Sequence, residues 1–450
     1  MTHHTRRDFM RLACCSAAGA SLVGGLSKFG LVSALAQGTS DYKALVCIFM
    51  FGGNDSNNML IPFDTTGYNN YATIRGPLAL AQNTLLPLTP QPNFALHPSL
   101  PEVQSLFNSG NLAFLANVGT LLQPTTRAQY QANSIVPPSN LFSHPDQQLE
   151  WQNQMDSSAG STGWAGRMAD KMNTQFNPGA LIPMIASISG DTLFCNGTGT
   201  SPVSVGSGGP GTPSCSDHSY CSSRQATAQQ FANMSSGVSL IQEDNAITNN
   251  AFTYNTVLSG ALNSATPLTT VFPTTTPFGA QLAEVAKLIN VRAALGVKRQ
   301  IFFVGAGNFD THSAQLATQA TLLAEVSPAL LAFYQALQEM NLANQVTAFT
   351  CSDFARTFQP NSSAGTDHAW GSHHIILGGA VKGGQIYGTF PTQALGGPDD
   401  VGSNGRWIPS TASAQYAATL AQWFGLATTD LPYVLPYIGN FTTNNLGFLG

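Results

Sequence analysis

Four short segments set carboxylates and imidazoles directly behind apolar runs, where they could share a ligand. Phe51-Gly52-Gly53-Asn54-Asp55 presents Asp55 after two glycines, and Phe309-Asp310-Thr311-His312 offers an Asp and a His two residues apart. Ser352-Asp353-Phe354-Ala355-Arg356 adds Asp353 and a cation that can bind an anion or pair with a carboxylate. Gly365-Thr366-Asp367-His368 runs on to His373 and His374, so three histidines fall within seven residues. Carboxylate and imidazole together suit a divalent ion such as Zn, Ca or Mg. A fifth segment, Phe142-Ser143-His144-Pro145-Asp146, has Pro145 placed as a first helical residue. A helix start is a natural anion site, which makes His144, like Arg356, a candidate anion-binding residue. Ser143 reads either as a nucleophile facing an oxyanion or as a plain helix cap.

The elements that must position these residues are legible as alternating patterns. The continuous apolar run at 44–51 reads as a strand buried on both faces, and further strand-like runs fall at 112–118, 181–188, 300–304, 345–351 and 374–380. Helical spacing falls between them at 98–109, 145–155, 164–173, 278–295, 313–340 and 413–424. Strands alternating with helices predict an α/β fold with a largely parallel sheet. In such sheets ligands bind beyond the carboxyl ends of the strands, where Asp55, Asp310 and Asp353 lie. The stretch near 191–225, dense in Gly, Ser, Pro and Thr, reads as a surface insertion in one domain spanning 37–450.

Only 9% of the 450 residues are charged, against roughly 25% in an average soluble chain. After residue 36 no uncharged apolar run reaches the roughly 18 residues needed to span a bilayer. The acidic balance and the absence of a basic run argue against nucleic acid. What remains is an exported globular protein. Thr5-Arg6-Arg7-Asp8-Phe9 followed by an Ala/Gly/Ser-rich apolar stretch is a twin-arginine signal pattern, and Ala34-Leu35-Ala36 is a cleavage site of the small-x-small kind. Cleavage after Ala36 leaves 13 basic and 21 acidic residues and a periplasmic or secreted protein. An oxidising compartment would permit one disulfide among Cys195, Cys215 and Cys221, either Cys215–Cys221 or Cys195–Cys215.

These segments, with Leu96-His97-Pro98-Ser99-Leu100 and Gly163-Trp164-Ala165-Gly166-Arg167, resemble the domain of unknown function 1501 family, exported bacterial proteins of the alkaline phosphatase and sulfatase superfamily. The resemblance implies an α/β alkaline phosphatase-like fold with helices on both faces of the sheet. It implies a metal centre in which Asp310, His312 and His368 hold one ion, while Asp55 and Asp353 serve another. Ser143 would fall at the nucleophile. The implied activity is metal-dependent hydrolysis of a phosphate or sulfate ester, small or polymeric. The alternative is a non-catalytic envelope binding or assembly protein, for which the resemblance implies an exported domain of unknown function 1800 protein as candidate partner. Phe354 departs from the pattern, because the superfamily's hydrolases carry a His at that place.

Overall fold

The computed structural model describes residues 41–156, 160–211, 221–235 and 237–450. The twin-arginine segment, the Ala36 site and Cys215 lie outside them. The frame is a nine-stranded sheet. Its strands are β1 (Lys43–Met50), β2 (Leu112–Gly119), β3 (Ile185–Ser187), β4 (Val203–Ser204), β5 (Arg299–Ala306), β6 (Val346–Ser352), β7 (Ser372–Leu377), β8 (Ile386–Gly388) and β9 (Thr411–Ala412). They run in the order β8-β2-β7-β6-β1-β5-β3-β4, with β9 also paired to β2. All pairs are parallel except those of β7, which runs antiparallel to β2 and β6. This is the α/β architecture expected. A separate three-stranded sheet joins Leu60–Pro62, Leu86–Pro87 and Phe94–Leu96.

Strand alternation divides β1 between two cores. Val46 and Ile48 pack on one face with Val103 and Phe107 of α2 (Pro101–Asn108), Leu282 and Ile289 of α7 (Pro277–Asn290), and Leu330 and Phe333 of α8 (Gln315–Glu339). Leu45 and Phe49 pack on the other with Trp164 and Met168 of α4 (Trp164–Phe176) and Tyr416 and Leu420 of α9 (Ser413–Phe424). Among the described residues α8 alone is long and apolar enough to cross a membrane. Leu323, Leu330 and Leu337 nevertheless place it in the core of this sheet.

Three expectations change. The run 181–188 yields only the short β3, since Pro183 has no N–H to give a ladder. The insertion near 191–225 is partly built into the body. Phe194 and Cys195 are buried, β4 extends the sheet, and a Cβ on Gly166 would lie 2.1 Å from the Asn196 carbonyl carbon. Cys195 is a free thiol among the described residues, and both expected pairings involve Cys215, which lies outside them. Finally, α5 (Cys221–Ala232) and α6 (Ser239–Asn263) form a helical pair that the sequence reading missed. It leaves Phe231, Met234, Leu240 and Ile247 exposed, while Leu258 is buried and Tyr254, Val257, Ala261 and Leu262 pack against the core, so its apolar stripe is confined to the second half of α6.

Candidate metal centre

Adjacent parallel strands end together, so β1, β5 and β6 deliver their following loops to one edge of the sheet. Antiparallel β7 begins at that edge, and the segment before it arrives there too. The remaining helices that matter are α1 (Thr65–Arg75) and α3 (His144–Asn153).

Asp310 is the focus. Its Oδ1 lies 3.0 Å from His312 Nε2, 3.4 Å from His368 Nε2 and 3.5 Å from His144 Nε2. His312 Nε2 and His368 Nε2 are 2.9 Å apart. The ligand atoms of His144, Asp310 and His368 all lie within 4.8 Å of one another. Each imidazole is held by its other nitrogen. His144 Nδ1 meets Asp353 Oδ2 at 2.7 Å, His368 Nδ1 donates to the Phe142 carbonyl at 2.7 Å, and His312 Nδ1 meets Asp367 Oδ1 at 3.2 Å. That is the orienting pattern of histidines that ligate a metal through Nε2.

The donor set fits a divalent ion. His144 Nε2 is buried without a hydrogen-bond partner. Ligands at tetrahedral positions around zinc stand about 3.3 Å apart, close to the spacings around Asp310 Oδ1. The electrostatics match the arrangement. The hydrogen bond to Asp353 raises the His144 pKa against its burial, with Asp310 assisting. Burial lowers that of His368. Burial would raise Asp310, but the Arg356 guanidinium and the nearby imidazoles hold it below the usual carboxylate range.

The turn after β1 makes this geometry possible. Gly52 has φ +110°, and a Cβ there would lie 2.4 Å from the Asp310 amide nitrogen. Its own N–H donates to Asp353 Oδ1 at 3.1 Å. Gln148, one turn after His144 on α3, donates to Asp353 Oδ2 at 2.8 Å. Asp353, fully buried, thus spends its oxygens on Gly52, His144 and Gln148.

The structure redistributes the expected roles. Asp310, His312 and His368 are brought together, and His144 joins them as a fourth candidate ligand, where an anion-binding role was expected. Asp353 orients His144. Asp55 is not part of the cluster: it is buried, caps Asn57 N–H, and is bonded by Arg75 of α1 and Gln315 of α8. Arg356 has a fully buried side chain and pairs with Asp310 at 2.7 Å, with further bonds to Thr366 and the Gly52 carbonyl. Its guanidinium is therefore consumed by a carboxylate. Ser143 lies at the α3 N-cap without a capping bond, and its hydroxyl donates to Asp146 Oδ2 at 2.5 Å. Phe354 packs its ring 4.8 Å from His144 and 4.6 Å from His368. His373 and His374 are buried at the start of β7 and do not join the cluster: His373 Nδ1 accepts the Asn117 N–H at 3.0 Å, and the His374 ring packs on Trp151 and Tyr416. Gln148, the Phe142 carbonyl and the pairing of Asp367 with His312 were missed; the i, i+4 spacing of His144 and Gln148 was the available signal.

An α/β protein with a His/Asp cluster at the ends of parallel strands is the class that fold and site define. The chain belongs to the DUF1501 family, described as protein of unknown function (DUF1501), which it matches over residues 42–403. No curated protein matches the sequence. Among solved structures it is similar to the sulfatase PsFucS1 from Pseudoalteromonas sp., with 10% identity, 90% of this chain and 72% of that one covered, and a TM-score of 0.34. It is also similar to Ps i-CgsB in complex with k-i-k-neocarrahexaose (11%, 90% and 75%, 0.33). A third similarity is to the C-terminal periplasmic domain of EcEptC from Escherichia coli in complex with Zn (9%, 75% and 72%, 0.29).

Proposed function

We propose that this chain is an exported hydrolase of phosphate or sulfate esters that uses one divalent ion held by His144, Asp310, His312 and His368. The observation that carries the reading is the convergence of three Nε2 atoms on Asp310 Oδ1, each ring fixed through its Nδ1. A bound ion would supply concentrated positive charge to polarise an ester oxygen. The protein's share is to keep the Nε2 lone pairs free. Asp353 and the Phe142 carbonyl accept the Nδ1 protons of His144 and His368. Ser143 is the hydroxyl best placed in sequence to attack, one residue before His144, and Asp146 is positioned to take its proton. The Phe354 ring against His144 and His368, and the engagement of Asp353 and Asp55 elsewhere, support one ion rather than two.

The test is turnover of 4-nitrophenyl phosphate and 4-nitrophenyl sulfate by ion-loaded protein. Activity is expected on one of them, falling at least 100-fold in Ser143→Ala while ion content is unchanged. Turnover of neither would refute the hydrolase. It would leave the second reading, a binding or assembly role at the cell envelope, with an exported domain of unknown function 1800 protein as the candidate partner. The exposed Phe231, Met234, Leu240 and Ile247 of α5, α6 and the link between them favour that alternative. Both readings place the protein outside the cytoplasm after cleavage behind Ala36.

A further inference from the structure

An ester hydrolase needs a cation for the anionic head of its substrate, and the expected one, Arg356, is buried against Asp310. We propose that Arg406 recognises that head, a tetrahedral phosphoryl or sulfuryl group; this rests on the hydrolase reading. Arg406 reaches the centre from the loop between β8 and β9. Its Nε donates to the His368 backbone carbonyl at 2.8 Å. Its guanidinium lies 4.3 Å over the ring of Phe142, the residue whose carbonyl holds His368 Nδ1. Two contacts thus fix the guanidinium plane beside a candidate ligand. Among the described residues its two terminal nitrogens have no hydrogen-bond or ion-pair partner.

The loop itself is built to present this side chain. Asp400 is fully buried, and its carboxylate accepts the backbone N–H groups of Gly396, Gly402, Gly405 and Arg406 at 2.9–3.1 Å. The nearest acid in sequence is therefore spent on the backbone and does not neutralise Arg406. Arg127 ties the same loop from outside through the carbonyls of Asp400 and Gly402. A half-buried guanidinium with one face stacked, Nε anchored and both terminal amines free is pre-organised to give two parallel N–H bonds to an oxyanion. Lysine offers the charge without that fork.

Isothermal titration of inorganic phosphate and of sulfate into ion-loaded protein tests the assignment, with elemental analysis of every variant. Arg406→Gln should weaken the preferred anion at least tenfold with ion content unchanged. Arg406→Lys should recover part of the loss, and substrate KM should rise more than kcat falls. The preferred anion separates the phosphoryl from the sulfuryl source. Equal affinity in Arg406→Gln and wild type, or no binding of either anion by wild type, would overturn the proposal. If Arg406→Gln fails to fold, Arg406→Lys decides by the same comparison. Protein that holds no ion but binds phosphate or sulfate through Arg406 would refute the metal centre and leave the arginine's role standing.

Discussion

At the scale of single residues, the difference between ligating and orienting carboxylates makes distinct predictions. Asp353 touches His144 but none of the other three candidate ligands. Asp353→Asn should therefore keep the fold and lower metal affinity about 10–100-fold, the usual cost of losing an orienting partner; titration against a competing chelator measures it. Asp55 makes the opposite case. Its carboxylate meets Arg75 where both side chains are buried, and removing one partner of such a pair costs about 3–5 kcal/mol. Asp55→Ala should lower the unfolding free energy from urea titration by that amount while the surviving folded protein keeps its ion. Loss of the ion at unchanged stability would restore Asp55 as a ligand. Gly52→Ala should do both kinds of damage, because the new methyl meets the Asp310 amide at a backbone φ that L-residues resist.

At the scale of elements, β7 carries a pH dependence that does not involve the metal centre. His373 and His374 are buried, and burial lowers both pKa values to about 3. In the unfolded chain each titrates near 6.5. Stability is therefore complete above pH 6.5 and falls as the pH drops toward 3, because the unfolded chain takes up protons that the folded one refuses. The slope should reach about 1.4 kcal/mol per pH unit for each histidine. His374→Phe, placed between Trp151 and Tyr416, should remove about half of this pair's contribution to the difference in unfolding free energy between pH 7.5 and 5, measured by urea titration. An unchanged slope would show that His374 takes up its proton in the folded chain as readily as in the unfolded one.

The same strand shows what the sequence makes legible. β1 is visible as a continuous apolar run because a parallel strand buries both faces, β5 and β6 are visible as strand-like runs, and Asp310 and Asp353 follow these two at the expected edge. Asp55 follows β1 as well, yet the turn through Gly52 and Gly53 sends its carboxylate to Arg75 and Gln315. Position after a strand does not fix the direction of a side chain. His373 and His374 looked like candidate ligands, but they lie inside β7, which starts at Ser372, two residues before the strand-like run read at 374–380. His144 and Arg406 were hidden for another reason. Their roles arise from contacts 209 residues away, with Asp353, and 38 residues away, with His368.

At the scale of the whole molecule, an ion that binds only the folded chain stabilises it by mass action, about 2.7 kcal/mol at a hundredfold excess over Kd. Stripping with a chelator should lower Tm, and re-addition of the correct ion should restore it. The same treatment should leave Asp310→Ala unmoved. With 39 charged side chains in 450 residues, the gathering of Asp310, Asp353, Asp367, Arg356 and Arg406 around three histidines at one edge of the sheet is the principal departure from a sparse charge pattern. The most direct measurement of the account is the ion content of the purified full chain by elemental analysis, for the wild type and for Asp310→Ala and His368→Ala. One divalent ion per chain, lost in both variants, is the predicted result. No ion in the wild type, or two ions of which one survives both substitutions, would contradict it.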